Sequence, residues 1–280
     1  METIKLNNGV EMPAIGYGVF QISPKEAARC VEEALSVGYR SIDTAQAYYN
    51  EEGVGEGIKN SAVPRSEIFL TTKVWISNAG EEKAAASIDE SLRKLQTDYI
   101  DLLLIHQHYS DYYGTWRAME KALKAGKVRA IGVSNFDEGR FTDLAEFNSV
   151  VPAVNQLQTN VFFQQREQQE FLSQYGAKMM AWAPLTEGRK DFFGNPLLTG
   201  IAENHGKSVA QVALRWLTQR GIVAIPKSVH RERMEQNLNI FDFSLTDEEM
   251  KQIATLNEND HGSINFDDPK FIKMLTSAYK

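Results

Sequence analysis

The sequence predicts a (β/α)8 barrel (a TIM barrel) of the α/β class, and two observations lead to this prediction. A short apolar run, a polar loop and a helix-like segment follow one another repeatedly along the 280 residues. The middle apolar runs are rich in Val, Ile and Leu without polar alternation, which is typical of parallel strands buried on both faces. Strands that alternate with helices in this way favour a barrel over an open doubly wound sheet. We expect one domain over residues 1–280, because no linker rich in Pro, Gly or Ser divides the chain.

The first fifteen residues predict a β-hairpin. Two short apolar segments, residues 4–6 and 10–12, flank Asn7-Asn8-Gly9. Asn-Gly between such segments is a strong signal for a tight hairpin turn. The hairpin could close the bottom of the barrel or lie on its surface, and the sequence leaves both open.

The barrel strands are predicted from the apolar runs that follow the hairpin. We place them at residues 39–42, 68–72, 100–105, 129–133, 152–156, 178–182, 222–225 and 239–241. Short runs such as the last are the weakest evidence for a strand.

The segments between the strands carry helix signals. Ser23, Ser208 and Thr246 each begin a pattern typical of a capping box, with Glu or Gln three residues later. Gly38 is placed to end the first helix, and residues 84–95 show an apolar stripe at helical spacing. Helices are therefore expected on the outside of the sheet.

Composition narrows the possible partners and surroundings. The net charge is −7, from 30 basic and 37 acidic residues, which argues against general nucleic-acid binding. No apolar run is long enough for a membrane span, and the N-terminus lacks the pattern of a signal peptide. Cys30 is the only cysteine, so no intrachain disulfide can form. These features favour a cytoplasmic protein with no membrane partner.

Polar residues follow the predicted strands where a barrel places its chemistry, at their carboxyl ends. Asp43 and then Tyr48 follow the first predicted strand, and Lys73 and His106 follow the next two. Taken singly, each has an ordinary structural explanation, such as a loop cap, a solvated lysine, a core histidine or a packing aromatic. Together they form a chemical set, since a buried ammonium needs a carboxylate partner and Asp43 is the nearest candidate.

This set suits proton transfer to a carbonyl oxygen. A free phenol has a pKa near about 10, and a neighbouring ammonium favours the phenolate. We therefore expect Lys73 to lower the pKa of Tyr48, with Asp43 holding Lys73 charged. A neutral His106 would donate a hydrogen bond to the substrate oxygen.

Several motifs, taken in order and spacing, resemble the aldo-keto reductase family from about residue 4 to the helix after Thr246. They are Met12-Pro13-x-x-Gly16-x-Gly18, Asp43-Thr44-Ala45-x-x-Tyr48, Thr72-Lys73-Val74-Trp75, Leu104-Ile105-His106, Ile131-Gly132-Val133-Ser134-Asn135-Phe136, Asn155-Gln156 and Ile225-Pro226-Lys227-Ser228. The resemblance implies a (β/α)8 barrel that reduces aldehydes and ketones with NADPH. By the same resemblance, Tyr48 is the proton donor, Lys73 and Asp43 tune it, and His106 orients the carbonyl.

The resemblance also implies a cofactor site. Ser134, Asn135 and Gln156 would hold the nicotinamide carboxamide, and Trp182 would stack on the ring. Lys227, Ser228 and Arg233 would bind the 2′-phosphate of NADPH, where a lysine and an arginine suit a dianion. The remaining cofactor contacts implied are Gly18, Val19, Leu185, Val229, Gln236 and Asn237, the last two beside adenine.

The sequence departs from the family where it would shape the substrate pocket. Gln107 and His108 stand where the family usually has tryptophan and proline after the histidine. Candidate pocket-wall residues are Phe20, Trp75, Gln107, His108 and Trp116. The tail from Phe266 to Tyr279 is a further candidate to fold over the mouth of the barrel.

Two patterns could suggest other chemistry. His106-Gln107-His108 resembles a metal-binding pair, since strand alternation would put both rings on one face, but no third ligand can be named, so we expect no metal. The glycines in residues 53–57 resemble a nucleotide loop, but no strand precedes them and acidic residues surround them, which favours a helix start.

The sequence thus predicts an NADPH-dependent oxidoreductase, acting as a monomer on a small carbonyl substrate. One alternative is a non-catalytic barrel that binds NADPH as a sensor or regulator. Another is an isomerase or aldolase in which Lys73 forms a Schiff base.

Overall fold

The computed structural model describes residues 2–258 and 264–277, which form a two-stranded antiparallel sheet and an eight-stranded parallel sheet. The strands are β1 (Thr3–Lys5), β2 (Glu11–Pro13), β3 (Tyr17–Gly18), β4 (Ser41–Asp43), β5 (Phe69–Val74), β6 (Ile100–Ile105), β7 (Val128–Ser134), β8 (Val154–Gln158), β9 (Lys178–Trp182) and β10 (Val223–Ala224). Strands β3 to β10 pair in sequence order. Their carboxyl ends therefore meet at one rim.

The ring closes between its first and last strands. Ile15 and Ala224 form a parallel bridge just before β3. Two backbone hydrogen bonds hold this seam, from the Gly16 nitrogen to the Ala224 oxygen at 2.8 Å and from the Ala224 nitrogen to the Ala14 oxygen at 3.1 Å. The sheet is thus a closed eight-stranded barrel, as the sequence predicts.

Helices connect the strands on the outside of the barrel. They are α1 (Pro24–Val37), α2 (Glu51–Asn60), α3 (Glu81–Lys94), α4 (Tyr112–Lys124), α5 (Glu138–Glu146), α6 (Arg166–Gln174), α7 (Pro196–His205), α8 (Val209–Gln219), α9 (Arg231–Leu238), α10 (Asp247–Ala254) and α11 (Pro269–Ser277). The capping boxes predicted at Ser208 and Thr246 are confirmed. The one at Ser23 is wrong, because its hydroxyl caps no backbone N–H, although α1 begins at Pro24 and ends at the left-handed Gly38.

The prediction of a last strand at residues 239–241 is also wrong. This segment continues from α9, and its backbone bonds are local, from the Asn239 nitrogen to the Glu235 oxygen at 3.1 Å. Ile240 is buried, and the Phe241 ring packs against the guanidinium of Arg215 from α8. The missing barrel strand is instead the short β3, near the start of the chain.

The N-terminal hairpin packs against the amino ends of the barrel strands. Leu6 and Met12 are buried in one apolar cluster with Phe69, Val154 and Val223. Each of these three is the first residue of its strand. The hairpin therefore closes the bottom of the barrel. It does not lie on the barrel surface, which was the other possibility. The chemistry is left to the opposite rim.

Residues 53–57 lie inside α2, as the sequence favours. Their glycines let α2 approach its neighbours closely: a Cβ on Gly55 would lie 2.6 Å from the Lys94 oxygen, and one on Gly57 would lie 2.5 Å from the Ala28 oxygen. No helix within the described ranges is long and apolar enough to cross a bilayer.

Candidate active site

Consecutive strands bring the predicted set of four residues to the carboxyl rim. Asp43 ends β4, Lys73 lies near the end of β5, and His106 directly follows β6. Tyr48 comes from the turn of 3-10 helix at Gln46–Tyr48 that follows β4. The structure therefore brings together four side chains that are far apart in the sequence.

Lys73 is the centre of this group. Its ammonium is fully buried and donates hydrogen bonds to Asp43 Oδ1 at 2.6 Å and to the Thr44 carbonyl at 2.9 Å. It donates a third to the phenol oxygen of Tyr48 at 3.2 Å. The second oxygen of Asp43 accepts from Gln156 Nε2 at 2.8 Å, so both carboxylate oxygens are satisfied. An ammonium this deeply buried is tolerated because acceptors surround it.

The electrostatics differ from the sequence prediction in one respect. Burial raises the pKa of Tyr48, whereas Lys73 lowers it, and the net pKa is raised above the usual value. The expectation of a lowered phenol pKa is therefore wrong for this state, because burial outweighs the ammonium. Burial lowers the pKa of Lys73, but Asp43 and Tyr48 outweigh that and raise it. At neutral pH the phenol thus carries its proton and the amine its charge.

His106 lies across the cavity from the phenol. Its ring centroid is 5.5 Å from that of Tyr48 and 4.9 Å from that of Trp75, both in edge-on contacts. Burial lowers the pKa of His106 well below its ordinary value, and the Lys73 charge adds to this. The imidazole is therefore neutral at pH 7, as expected, and one ring nitrogen can donate to a substrate oxygen.

Two side chains that the sequence reasoning missed fix the turn that carries Tyr48. Gln46 Oε1 accepts from the Trp75 backbone at 2.9 Å, and its Nε2 donates to Ser91 Oγ at 3.1 Å. Asn50 is fully buried and donates to the Val19 carbonyl at 3.0 Å. The only signal for Asn50 was an amide next to a motif, which is too common to single out.

A cavity of about 580 Å³ opens at the same rim. Most of the predicted pocket residues line it, together with all but Lys73 of the set of four. Those lining it are Gly18, Phe20, Asp43, Tyr48, Trp75, His106, Gln107, Ser134, Asn135, Gln156, Trp182, Leu185 and Lys227. Residues 183, 184, 187 and 225 add to the lining and were not predicted.

Hydrogen bonds order the wall expected to receive a nicotinamide. The Ser134 hydroxyl donates to the Gln156 carbonyl at 2.9 Å, and Asn135 Nδ2 donates to the Ser134 hydroxyl at 3.1 Å. Trp182 Nε1 donates to Asn135 Oδ1 at 2.9 Å, which fixes the indole beside the cavity. Asn135 has a left-handed backbone (φ 59°), a conformation that asparagine tolerates better than most residues.

The cations predicted for a 2′-phosphate continue outward from this wall. Lys227 and Arg233 are exposed, and neither side chain forms an ion pair or hydrogen bond with any residue of the described ranges. Arg231, by contrast, pairs with Glu235 at 2.9 Å. Lys227 lines the cavity, whereas Arg233 lies on α9 and does not line it. Two cations without partners among the described residues are the type of donor that a phosphate dianion requires.

The other residues predicted around the adenosine half do not line the cavity itself. Ser228, Val229, Gln236 and Asn237 lie on the segment after β10 and on α9, beyond Lys227. Val19 is fully buried and does not line the cavity, and its nitrogen donates to the Asp43 carbonyl at 3.1 Å. Its contact with the cofactor stays a prediction.

Two predicted pocket-wall residues point elsewhere. Trp116 lies on α4, fully buried in the apolar core outside the barrel, because it belongs to the face of that helix which packs on the strands. His108 does not line the cavity; its Nδ1 donates to the Asn135 carbonyl at 2.6 Å. Strand β6 ends at Ile105, so alternation does not continue and the two histidine rings face different surroundings.

The C-terminal tail covers the mouth over its described part. Phe266, Phe271 and Leu275 line the cavity, and Phe266 contacts Trp182 edge-on at 6.1 Å. Asp267 pairs with Arg140 at 3.0 Å, which ties the tail to α5. The end of the predicted tail at residues 278–279 lies outside the described residues.

Comparison with known proteins agrees with this architecture. A model of the Aldo/keto reductase family matches residues 12–258. The chain belongs to the aldo-keto reductase family. It is 47% identical to the glyoxal reductase of Bacillus subtilis over 272 residues, which covers 96% of this chain and 98% of that protein.

Solved aldo-keto reductases have the same fold. One from a Medee basin deep-sea metagenome library is 43% identical with a TM-score of 0.92, covering 95% of this chain and 98% of that one. The Bombyx mori aldo-keto reductase, solved in complex with NADP, is 34% identical with a TM-score of 0.89, covering 97% and 96%. No group of three His, Cys, Asp or Glu residues placed to hold a metal occurs among the residues the structure describes.

Proposed function

We propose that this aldo-keto reductase reduces aldehydes and ketones to alcohols with NADPH, using Tyr48 as the general acid. One observation carries the proposal. The Lys73 ammonium lies 2.6 Å from Asp43 and 3.2 Å from the Tyr48 oxygen, at the edge of a cavity that His106 also lines. This arrangement can protonate a developing alkoxide while holding its oxygen in place.

The protonation state of each side chain determines its role in the proposed reaction. Neutral His106 donates a hydrogen bond to the carbonyl oxygen and orients it. Tyr48, whose raised pKa keeps it protonated, gives its proton to that oxygen as negative charge develops there. Lys73 stabilises the phenolate that remains, and Asp43 keeps the ammonium charged.

The residues of the cavity fit NADPH. When bound, NADPH supplies a hydride to the carbonyl carbon. Ser134, Asn135 and Gln156 are placed to hold the carboxamide, with the Trp182 indole beside the ring. Gly18, which lines the cavity, permits a close approach of two segments of the chain, because a Cβ there would lie 3.0 Å from the Ile225 oxygen. The uncommitted cations Lys227 and Arg233 would pair with the 2′-phosphate, and Ser228, Val229, Gln236 and Asn237 extend the site toward adenosine.

Similar proteins support the cofactor and the substrate class. The relative from Bacillus subtilis is named for glyoxal, and an Escherichia coli relative, 39% identical over 258 residues, is named methylglyoxal reductase. The Bombyx mori structure holds NADP. A small carbonyl compound also suits a cavity of about 580 Å³ that must accept a nicotinamide as well.

We further propose that the chain is one functional unit that works as a monomer in the cytoplasm, with no nucleic-acid partner. The hairpin, the barrel and the tail all contribute to a single barrel with a single mouth. The four residues of the proposed mechanism come from one chain, so no step needs a second copy. The net charge of −7 and the single buried Cys30 agree with this assignment.

The test is oxidation of NADPH by the purified protein with a panel of aldehydes and ketones, followed by absorbance. The Tyr48→Phe variant should lose at least about a hundredfold in kcat, because no other acid reaches the oxygen. Its dissociation constant for NADPH should stay within about threefold, since the lost hydroxyl does not hold the cofactor.

Two results would contradict the proposal. Retention of most activity by Tyr48→Phe would remove the phenol as the acid. Binding of NADPH by the wild-type protein with no turnover of any carbonyl would favour the non-catalytic alternative. Trapping of a substrate on Lys73 by borohydride would point instead to Schiff-base chemistry.

A further inference from the structure

Gln107 lies in the wall of the cavity directly after His106, where the resemblance leads one to expect a tryptophan. The side chain is 7% exposed. Its amide oxygen is buried and accepts no hydrogen bond from any described residue. A buried acceptor without a donor is uncommon in native proteins and destabilises the folded state unless something supplies the donor.

The fold offers no structural use for this amide. Gln46 and Asn50, two other amides next to the site, each bridge two segments of chain. Gln107 bridges nothing among the described residues. What it does share is a cavity with Tyr48 and His106, the two groups that contact the reacting oxygen in the proposed mechanism. Its side chain is thus part of the wall that a substrate would face beside the reacting carbonyl.

The mouth of the cavity is mostly apolar, although Gln21 and Glu187 also line it. Phe20, Trp75, Phe266, Phe271 and Leu275 surround the mouth. Gln107 differs from the other polar wall groups because it directly follows His106 and its amide oxygen is buried without a donor among the described residues. The terminal torsion of a glutamine is broad, so the amide can turn its oxygen toward a donor in the cavity.

We propose that Gln107 is a specificity residue that selects carbonyl substrates with a hydroxyl on the carbon next to the carbonyl. The amide oxygen lacks a donor, and a hydroxyl supplies one, whereas a methyl does not. The inference rests on the proposed carbonyl reductase function. It adds the chemistry of the neighbouring substituent, which the four catalytic residues do not decide.

The test compares hydroxyacetone with 2-butanone, two ketones in which a hydroxyl replaces a methyl with the same number of heavy atoms. The wild-type protein should show a higher kcat/KM for hydroxyacetone. In Gln107→Met, which keeps the length and removes the amide, the ratio of the two kcat/KM values should fall at least about tenfold. Comparing ratios cancels the intrinsic reactivity of the two ketones.

Controls separate recognition from damage to the fold. Gln21→Met removes an exposed amide at the mouth of the same cavity, and it should leave the ratio within about twofold. Gln107→Leu provides a second variant, and thermal unfolding and NADPH binding check that each variant folds. The loss should fall on hydroxyacetone, as a higher KM, while 2-butanone changes by less than about threefold.

The outcomes are distinct. A ratio that Gln107→Met leaves unchanged, with both ketones reduced, overturns the inference and leaves the proposed function intact; this is also the result if an ordered water satisfies the amide. A wild-type protein that reduces 2-butanone as well as hydroxyacetone overturns it as well. A wild-type protein that reduces neither these nor any other carbonyl overturns the proposed function itself.

Discussion

The balance between burial and the Lys73 ammonium decides how the Tyr48 phenol behaves. Burial alone favours the protonated phenol, and the ammonium at 3.2 Å favours the phenolate. The net pKa is raised, which suits an acid that must keep its proton until charge develops on the substrate. The same ammonium then stabilises the phenolate after the proton has left, so Lys73 acts mainly on the transition state.

The two uncommitted cations predict a cofactor preference. Arg233→Ala should weaken NADPH binding by about tenfold or more, since a charged hydrogen bond contributes about 1.5–3 kcal/mol. NADH binding should change by less than about threefold, because NADH lacks the 2′-phosphate. Lys227→Ala should act in the same direction. Quenching of tryptophan fluorescence measures both dissociation constants.

Arg231→Ala is the matched control, because Arg231 lies on the same helix but already pairs with Glu235 and donates to Ser36. It should leave the preference for NADPH unchanged. Equal affinities of the wild-type protein for NADPH and NADH would rule out a phosphate site at Lys227 and Arg233.

The sequence predicted the side chains proposed to take part in the reaction, but it missed the side chains that hold them in position. Asp43, Lys73 and His106 can be found because a barrel puts its chemistry at strand ends, and a buried lysine demands a carboxylate. Trp116 was misplaced because the sequence does not say whether a helical aromatic faces the strands or the rim. Gln46 was not predicted, because its role depends on contacts with Trp75 and Ser91, which are brought together only by the fold.

The strands show where local signals succeed and fail. Strand β6 has the predicted bounds, because five of its six residues are apolar and all six are buried, which is a clear signal. Strand β3 has only two residues, Tyr17 and Gly18, and glycine precedes it because space is short: a Cβ on Gly16 would lie 2.9 Å from Ser41 Oγ. Ile240 and Phe241 give a short apolar signal, but Ile240 is buried outside any strand and Phe241 packs against Arg215 of α8.

Close helix packing predicts opposite effects for two glycine substitutions. Gly55→Ala should destabilise the protein by about 1–3 kcal/mol, because its Cβ would meet backbone atoms of residues 94 and 95 that cannot move aside. Gly200→Ala is the matched control in α7, where nothing lies within 4 Å of the new Cβ. It should stabilise the protein by up to about 1 kcal/mol, the gain in helix propensity.

Urea unfolding followed by circular dichroism measures both changes. Equal effects of the two substitutions, in either direction, would show that the approach of α2 to the end of α3 is looser than the geometry implies.

Over the whole molecule, two buried histidines predict acid sensitivity. Burial lowers the pKa of both His106 and His108 in the folded protein, whereas an unfolded histidine titrates near about 6.5. Below that pH the unfolded chain takes up protons that the folded protein does not. The free energy of unfolding should therefore fall with acid, by about 1.4 kcal/mol per pH unit for each histidine.

Glu51 acts in the opposite direction, because burial raises its pKa and its protonated form stabilises the fold at low pH. Substitution of a histidine separates its contribution to the pH dependence of stability from that of Glu51. His108→Asn keeps a donor toward the Asn135 carbonyl and should reduce the slope between about pH 6.5 and 5.5. A wild-type stability that is flat across this range would contradict both assignments.

The seam between residues 14–16 and Ala224 fixes when the barrel can form during synthesis. Strand β3 is translated early. Strand β10, with which it closes the barrel, follows only after some two hundred further residues have been translated. Until β10 has been made, the growing sheet has two unpaired edges and the barrel interior is not closed. A nascent chain of this protein would accordingly remain a substrate for chaperones until nearly all of it has been made.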